Sequence, residues 1–487
     1  MLSLMTAHEI SSKVAAQEVS AETIIGQALK KAQEVQNKFN AFISIDDNAI
    51  NKAKELDKRI AAGENVGKLA GVPVVIKDNI CTKDLRTTAG SKILETFIPP
   101  YNATVVERLE AAGAIVIAKA NLDEFGMGSS NENSAYGIAK NPWDSSRVPG
   151  GSSGGSAIAV ATGVVPFALG TDTGGSVRQP ASFTGTIGFK PTYGQLSRYG
   201  VVAYASSLDQ VGVIAQNSSD LALAMDAMSG HDANDSTNIK DSRIAFVKDL
   251  QAKKDLSGIK IGLIKELCGE GNSDDVLDML EQTQSQLEKL GASVKTVSLE
   301  NVRYGIASYY LVAPAEASSN LARYDGMIYS NRVGKNSEGQ VEIMMKTRGK
   351  LFGPEVRKRI LMGSYALSAG YYDAFYGKAL KVRKLIANDF AKAFESFDFL
   401  MTPTTPSVAY KIGEKTNDPL AMYLDDIDTV LANLVGIPAI SLPMGQSKDN
   451  LPIGIQFFAP ALKDESLLQL TNVIENSQDN FAPTAKY

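Results

Sequence analysis

Residues 157–169 are almost wholly apolar, yet they cannot run as one helix. Thr162, Gly163 and Pro166 interrupt them, because glycine loosens a helix and proline lacks the donor N–H. The expected solution is a helix over residues 156–162, then a strand over residues 164–169. Both ends open into loops of glycine and serine. Upstream stands Gly150-Gly151-Ser152-Ser153-Gly154-Gly155-Ser156, and downstream Thr171-Asp172-Thr173-Gly174-Gly175-Ser176. Ser152 and Ser176 are 176 − 152 = 24 residues apart. Glycines let backbone N–H groups approach a ligand, and serines beside them offer hydroxyls as nucleophile or relay. A loop that follows a strand is where α/β sheets place their ligand sites.

The surrounding pattern extends the same architecture. Residues 72–76 form a β-branched run that delivers Lys77-Asp78-Asn79 at its end. A helix over residues 104–112 and a strand over residues 114–118 follow, so the sheet is expected to be parallel here and covered by helices. Residues 1–62 are expected to form a helical arm. Thr6 and Glu9 make a capping box. Ile24, Ile25, Ala28, Leu29, Ala32 and Val35 recur at helical spacing. Asp46 or Asp47 is placed to cap a third helix, which Gly63 ends. Residues 231–255 are polar and predict a linker or an insertion loop. Strands are expected over residues 259–264 and 292–297, with a helix over residues 274–290 between them. Residues 303–396 predict helices. Strands return near residues 399–401, 438–442 and 453–457, and a last helix ends near residue 476. A length of 487 residues alone favours two or three domains.

Several classes of function lack their signatures. Net charge is 49 − 54 = −5, without the basic excess of a chain that grips nucleic acid by itself. Cys81 and Cys268 supply neither a disulfide framework nor a zinc signature, which fits a reducing compartment. Neither a signal-peptide pattern nor an apolar run of membrane-spanning length stands out, so a cytoplasmic location is expected. The Gly-Lys pairs at 67, 334, 349 and 377 are not followed by Ser or Thr, so there is no P-loop. No metal site and no intrinsic cofactor are expected.

A nucleophilic serine remains. It needs a base for its proton and donors for the developing oxyanion. The chain has two histidines, His8 and His231, and neither stands in a supporting motif. Serine–lysine variants of the triad exist. A lysine starts near a pKa of about 10.4 and must be made neutral by burial. Lys77, at the end of an apolar run, is placed for that, with Ser152 as a relay to Ser176 and the backbone around residues 173–176 as oxyanion donors. The competing reading is ordinary: a lysine after a strand as a solvated cap, and a Gly/Ser loop as a turn.

Three motifs carry a resemblance. Val75-Ile76-Lys77-Asp78-Asn79, the run from Gly150 to Ser156, and Asp172-Thr173-Gly174-Gly175-Ser176-Val177-Arg178-Gln179-Pro180-Ala181 resemble the amidase signature family in order and spacing. The resemblance implies one α/β/α domain around a large mixed sheet, with residues 1–62 as the arm and 63–487 as the catalytic domain. It overrides the expectation of several domains. It also implies Ser176 as the acyl-forming nucleophile, Ser152 as a bridging serine on a cis peptide bond and Lys77 as the general base. Thr173, Gly174 and Gly175 would line the oxyanion hole.

Residues 315–326, 356–360 and 418–423 are similar to one branch of that family, the glutaminase subunits of tRNA-dependent amidotransferases. That similarity implies hydrolysis of glutamine, with ammonia passed to a tRNA-binding partner, the B subunit. The partner would use ATP and Mg to convert Glu-tRNA(Gln) to Gln-tRNA(Gln), a ligase reaction of protein biosynthesis. A small C subunit would complete a heterotrimer. Aspartate on asparagine-accepting tRNA is a further substrate of the branch. The resemblance places Arg359 at the glutamine carboxylate and Asp426 at its ammonium, with Tyr310 and Ser129 beside them. Arg357, Tyr309 and Asp425 are near neighbours that share the residue types. One departure is Val213 after Ser207-Leu208-Asp209-Gln210-Val211-Gly212, where the family usually has proline. Arg178 and Asp172 read as structural partners and Lys119 as a lysine at the core edge. A stand-alone amidase for small amides and a catalytically silent scaffold are the alternatives.

Overall fold

A computed structural model of the chain describes residues 5–240, 245–251, 253–335, 337–416, 418–479 and 481–487. The strands are β1 (Phe42–Ile45), β2 (Pro73–Lys77), β3 (Ile115–Ala120), β4 (Phe167–Asp172), β5 (Ile187–Lys190), β6 (Gln210–Ala215), β7 (Lys260–Ile264), β8 (Ser293–Val297), β9 (Phe399–Pro403), β10 (Ala439–Gln446) and β11 (Pro452–Phe458). They join in one 11-stranded sheet, in the order β1-β3-β2-β4-β6-β5-β10-β11-β9-β7-β8. The sheet is mixed. β2 runs parallel to β3 and β4, and β7 runs parallel to β8 and β9. The strands from β4 through β6, β5, β10 and β11 to β9 pair antiparallel. A single sheet through the whole chain replaces the several domains that length alone favoured.

The N-terminal helices α1 (Ala7–Ala15), α2 (Ala21–Phe39) and α3 (Ala49–Ala61) occur where the periodicity puts them. The Thr6–Glu9 capping box closes α1. Between α2 and α3, however, the chain makes β1, an edge strand antiparallel to β3. The cap of α3 also differs from expectation. Asn48 is the N-cap, and Asp46 instead accepts the Asn48 N–H (2.9 Å) and pairs with Lys52 (2.9 Å).

The chain then forms α4 (Thr104–Ala111), α5 (Gly154–Ala161), α6 (Arg178–Thr184) and α7 (Ser218–Met228). α5 and β4 are the predicted helix and strand around Pro166, with the strand beginning three residues later than expected, after the proline. Residues 231–255 are not simply a linker: a short helix, α8 (Phe246–Asp249), buries Phe246 and packs on α7. Residues 241–244 and 252 of that stretch lie outside the described residues.

Beyond α9 (Asp274–Lys289), the helices α10 (Gly305–Asn320), α11 (Gln340–Leu351), α12 (Pro354–Ala366) and α13 (Lys378–Ala393) fill the predicted helical region. Short helices α14 (Pro419–Leu424) and α15 (Val430–Val435) precede β10, and α16 (Asp464–Asn476) closes the chain. One apolar core spans the sheet and the N-terminal helices. A second lies under α10, α12, α13 and α15, and it backs the loops at the ends of β2 and β4.

Candidate active site

β2 ends on Lys77, whose side chain is fully buried. Its Nζ donates to Ser152 Oγ (2.7 Å), to Ser153 Oγ (2.8 Å) and to the Thr171 carbonyl (3.3 Å). Burial drives its pKa from 10.5 down to about 7, against the pull of the Asp123, Asp172 and Asp209 carboxylates. Ser152 follows a cis peptide bond from Gly151, the geometry that the resemblance implies.

β4 ends on Asp172, and the chain turns through residues 173–176 into α6. Asp172 and Arg178 are both fully buried. Arg178 Nε and Nη2 grip the two carboxylate oxygens at 3.0 and 2.9 Å. Burial is the largest single influence and would raise Asp172, but the Arg178 charge and its hydrogen bonds, with Lys190 and Asn433, together outweigh it and hold the carboxyl at about 2. Asp172 Oδ1 also accepts the N–H of Gly175 (2.8 Å). Gly175 therefore differs from the other expected oxyanion donors, because its N–H already holds the loop in shape. The N–H groups of Thr173, Gly174 and Ser176 have no acceptor among the described residues. Thr173 Oγ1 donates to Asp209 (2.7 Å), and Thr429 Oγ1 to the Gly174 carbonyl (2.7 Å). Arg178→Met is expected to leave Asp172 as an unpaired buried charge. It should cost about 3–5 kcal/mol of stability, read as a lower urea midpoint.

A second cluster lies beside this loop. Asp426 accepts Ser129 Oγ at 3.0 and 2.9 Å on its two oxygens, and Tyr310 OH at 3.0 Å. Burial lifts its pKa to about 7 despite those bonds. Arg359 is 2% exposed. Its Nε donates to Glu355 (2.8 Å) and its Nη1 to Tyr204 OH (2.7 Å), while Nη2 is buried with no partner. The guanidinium also lies over the ring of Tyr310, 5.4 Å from the centroid. The neighbours separate by geometry: Arg357 is exposed, and Asp425 turns away to pair with Lys415. Tyr310 faces Asp426, whereas Tyr309 packs on the loop of residues 173–176. A Cβ at Gly174 would fall 2.5 Å from the Tyr309 ring, so only glycine fits there.

Sequence reasoning passed over several of these groups. Ser153 stood inside the Gly/Ser run and shares the lysine. Glu355, four residues before Arg359, carried an i,i+4 ion-pair signal. Tyr204 and Thr429 had no local signal, and only the fold brings them in; Asp209 stood in the Ser207–Gly212 run without a role of its own. Lys119 is not at the core edge. It is fully buried, donates to the Ile80 carbonyl, Thr82 and Thr87, and stands 3.7 Å from Asp78. Among the described residues no group of three metal-ligating side chains converges, and no helix is long and apolar enough to cross a membrane.

A serine in a loop with free amides, beside a buried lysine held near neutrality, can perform acyl transfer at an amide carbonyl. The chain belongs to the amidase signature family, whose model matches residues 23–468. It is 51% identical over 470 residues to the A subunit of glutamyl-tRNA(Gln) amidotransferase from a Cyanothece species, covering 96% of this chain and 97% of that protein. The A subunit from Thermoanaerobacter pseudethanolicus is 50% identical over 474 residues, with 97% and 96% covered. The crystal structure of the A subunit from Thermotoga maritima aligns with a TM-score of 0.83 at 40% identity, over 100% of this chain and 98% of that one. Native peptide amidase from Stenotrophomonas maltophilia aligns at 0.84 and 28% identity, over 99% of both chains.

Proposed function

We propose that this chain is the glutamine-hydrolysing subunit of a glutamyl-tRNA(Gln) amidotransferase. The observation that carries the choice of glutamine is the relation between Arg359 and Asp426. They are buried and opposite in charge, and they flank Tyr310, yet no ion pair joins them among the described residues. Arg359 keeps an unpartnered Nη2, and a planar fork suits a carboxylate. Asp426, near pKa 7 when alone, ionises fully once an ammonium sits on it. A zwitterionic amino-acid head fits between two such groups; a plain small amide has no use for them.

In the reaction, neutral Lys77 takes the Ser176 proton through Ser152. Ser176 Oγ attacks the side-chain carboxamide carbon of glutamine. The N–H groups of Thr173, Gly174 and Ser176 receive the oxyanion, each worth about 10²–10³ in rate. The C–N bond breaks, the proton returns through Ser152 to the leaving nitrogen, and ammonia departs. Water, activated by the same pair, then releases glutamate from Ser176. No intrinsic cofactor enters these steps. The ammonia serves an ATP- and Mg-using partner, the B subunit, which binds the misacylated tRNA. A small C subunit completes a cytoplasmic heterotrimer.

The test is ammonia release from glutamine by the chain alone and with candidate partner subunits, ATP and glutamyl-tRNA. Low activity alone that rises on assembly supports the reading. Full activity alone on simple amides, without preference for glutamine, overturns it in favour of a solitary amidase. Arg359→Lys should raise KM for glutamine about tenfold or more with a smaller change in kcat, because a point-charge ammonium cannot make two parallel bonds. An unchanged KM would remove Arg359 from the carboxylate site.

A further inference from the structure

We infer that Gln179 is a positioning residue that couples recognition of the substrate ammonium to the seating of Ser152; this rests on the glutamine reading above. Gln179 is the second residue of α6 and is fully buried. Its backbone N–H donates to the Gly175 carbonyl (2.8 Å), one residue before the nucleophile. Its side-chain Oε1 accepts the N–H of Gly151 (2.9 Å), one residue before Ser152. Its Nε2 donates to the carbonyl of Ser129 (2.7 Å), the residue whose hydroxyl holds both oxygens of Asp426. A Cβ at Gly150 would lie 2.5 Å from Gln179 Oε1, so that loop is shaped to let the amide in.

Three loops thus meet on one residue, two of them on its side chain, and no other side chain of similar size does the same work. The carboxamide donates at one end and accepts at the other. A glutamate keeps the bond to Gly151 but sets lone pairs against the Ser129 carbonyl. A leucine leaves a buried N–H and a buried carbonyl unpaired. When an ammonium settles on Asp426, Ser129 is fixed, and Gln179 transmits that restraint to the Gly151–Ser152 peptide. There the Ser152 hydroxyl meets Lys77.

The experiment compares glutamine with 4-carbamoylbutanoate, which lacks the α-ammonium, using the full chain assembled with its partner subunits. Labelling of Ser176 by a small sulfonyl fluoride reports the catalytic trio independently of either substrate. Gln179→Leu is expected to shrink the kcat advantage of glutamine over the desamino substrate about tenfold or more, and Gln179→Glu, which keeps the volume, to act in the same direction. Equal loss on both substrates, with the ratio preserved, would mean support of the loop alone and overturns the coupling, as would no change at all. Failure of both variants to fold would assign Gln179 to stability and likewise overturn it. If the unaltered enzyme labels at Ser176 but shows no preference for glutamine, the glutamine reading itself fails, whatever the variants do.

Discussion

Ser176→Ala is expected to lower glutamine hydrolysis by about 10⁴-fold or more while leaving the unfolding midpoint where it was. Both halves come from the same geometry. Ser176 is 8% exposed, and its Oγ makes no hydrogen bond to the described residues. Removing it therefore breaks nothing that holds the loop. That loop is fixed instead by Asp172 on the Gly175 N–H, Thr429 on the Gly174 carbonyl and Ser153 N–H on the Ser176 carbonyl. The loss should appear entirely in turnover, with labelling by a serine-directed reagent abolished. Ser152→Ala differs in kind, because it takes from Lys77 its 2.7 Å partner and leaves Ser153 and the Thr171 carbonyl. Since the members of such a unit do not act additively, the double variant should be no worse than Ser176→Ala alone. Turnover above about one part in a hundred in Ser176→Ala would remove it as the nucleophile.

Much of this machinery was legible because it is written in consecutive residues. The Gly/Ser loops, the lysine after an apolar run and the broken apolar segment between the loops each declare themselves locally. What stayed hidden depends on distant segments. β1 is four residues caught between two strongly periodic helices, and it exists because β3 offers it an edge. β5 and β6 carry glycines at 188 and 212 that dilute the β-branched pattern, and β5 finds its second neighbour, β10, 441 − 188 = 253 residues away in sequence. The cluster around Arg359 and Asp426 shows the same limit at the scale of one residue. Three basic residues in a row on α12 look alike until the helix buries the third against Tyr204, Tyr310 and Tyr423. Asp425 and Asp426 separate only once Lys415 takes one and Ser129 with Tyr310 the other. Lys119 reads from the sequence as a lysine at the core edge, yet three oxygen acceptors and Asp78 make full burial tolerable.

The pH dependence of the reaction should report Lys77, and its direction can be worked out in advance. In the proposed mechanism Lys77 is the base, and an amine takes up a proton only when neutral. Burial lowers its pKa from 10.5 to about 7, so kcat/KM should rise with pH on a limb centred near 7 and level off above it. Lys77→Arg keeps a cation in place but one that does not deprotonate, so activity should be lost by about 10⁴-fold at every pH rather than shifted. A second variant tests the cause. Asp209 lies close enough to pull the Lys77 pKa upward, and its own carboxyl, raised by burial to about 6, is mostly ionised at pH 7. Asp209→Asn removes that negative charge, so the charged lysine becomes harder to keep and the acid limb should move to lower pH. The side chain also accepts from Thr173 and from the Tyr204 and Ala205 amides, so the maximal rate should fall as well. The position of the limb separates electrostatics from that loss of support. The same depression has a sign in folding: between about pH 7 and 10.5 the unfolded chain holds a proton on this lysine that the folded chain does not. This one group therefore makes stability rise with pH through that window. A limb that moves upward in Asp209→Asn, or that survives in Lys77→Arg, would show that a different group takes the serine proton.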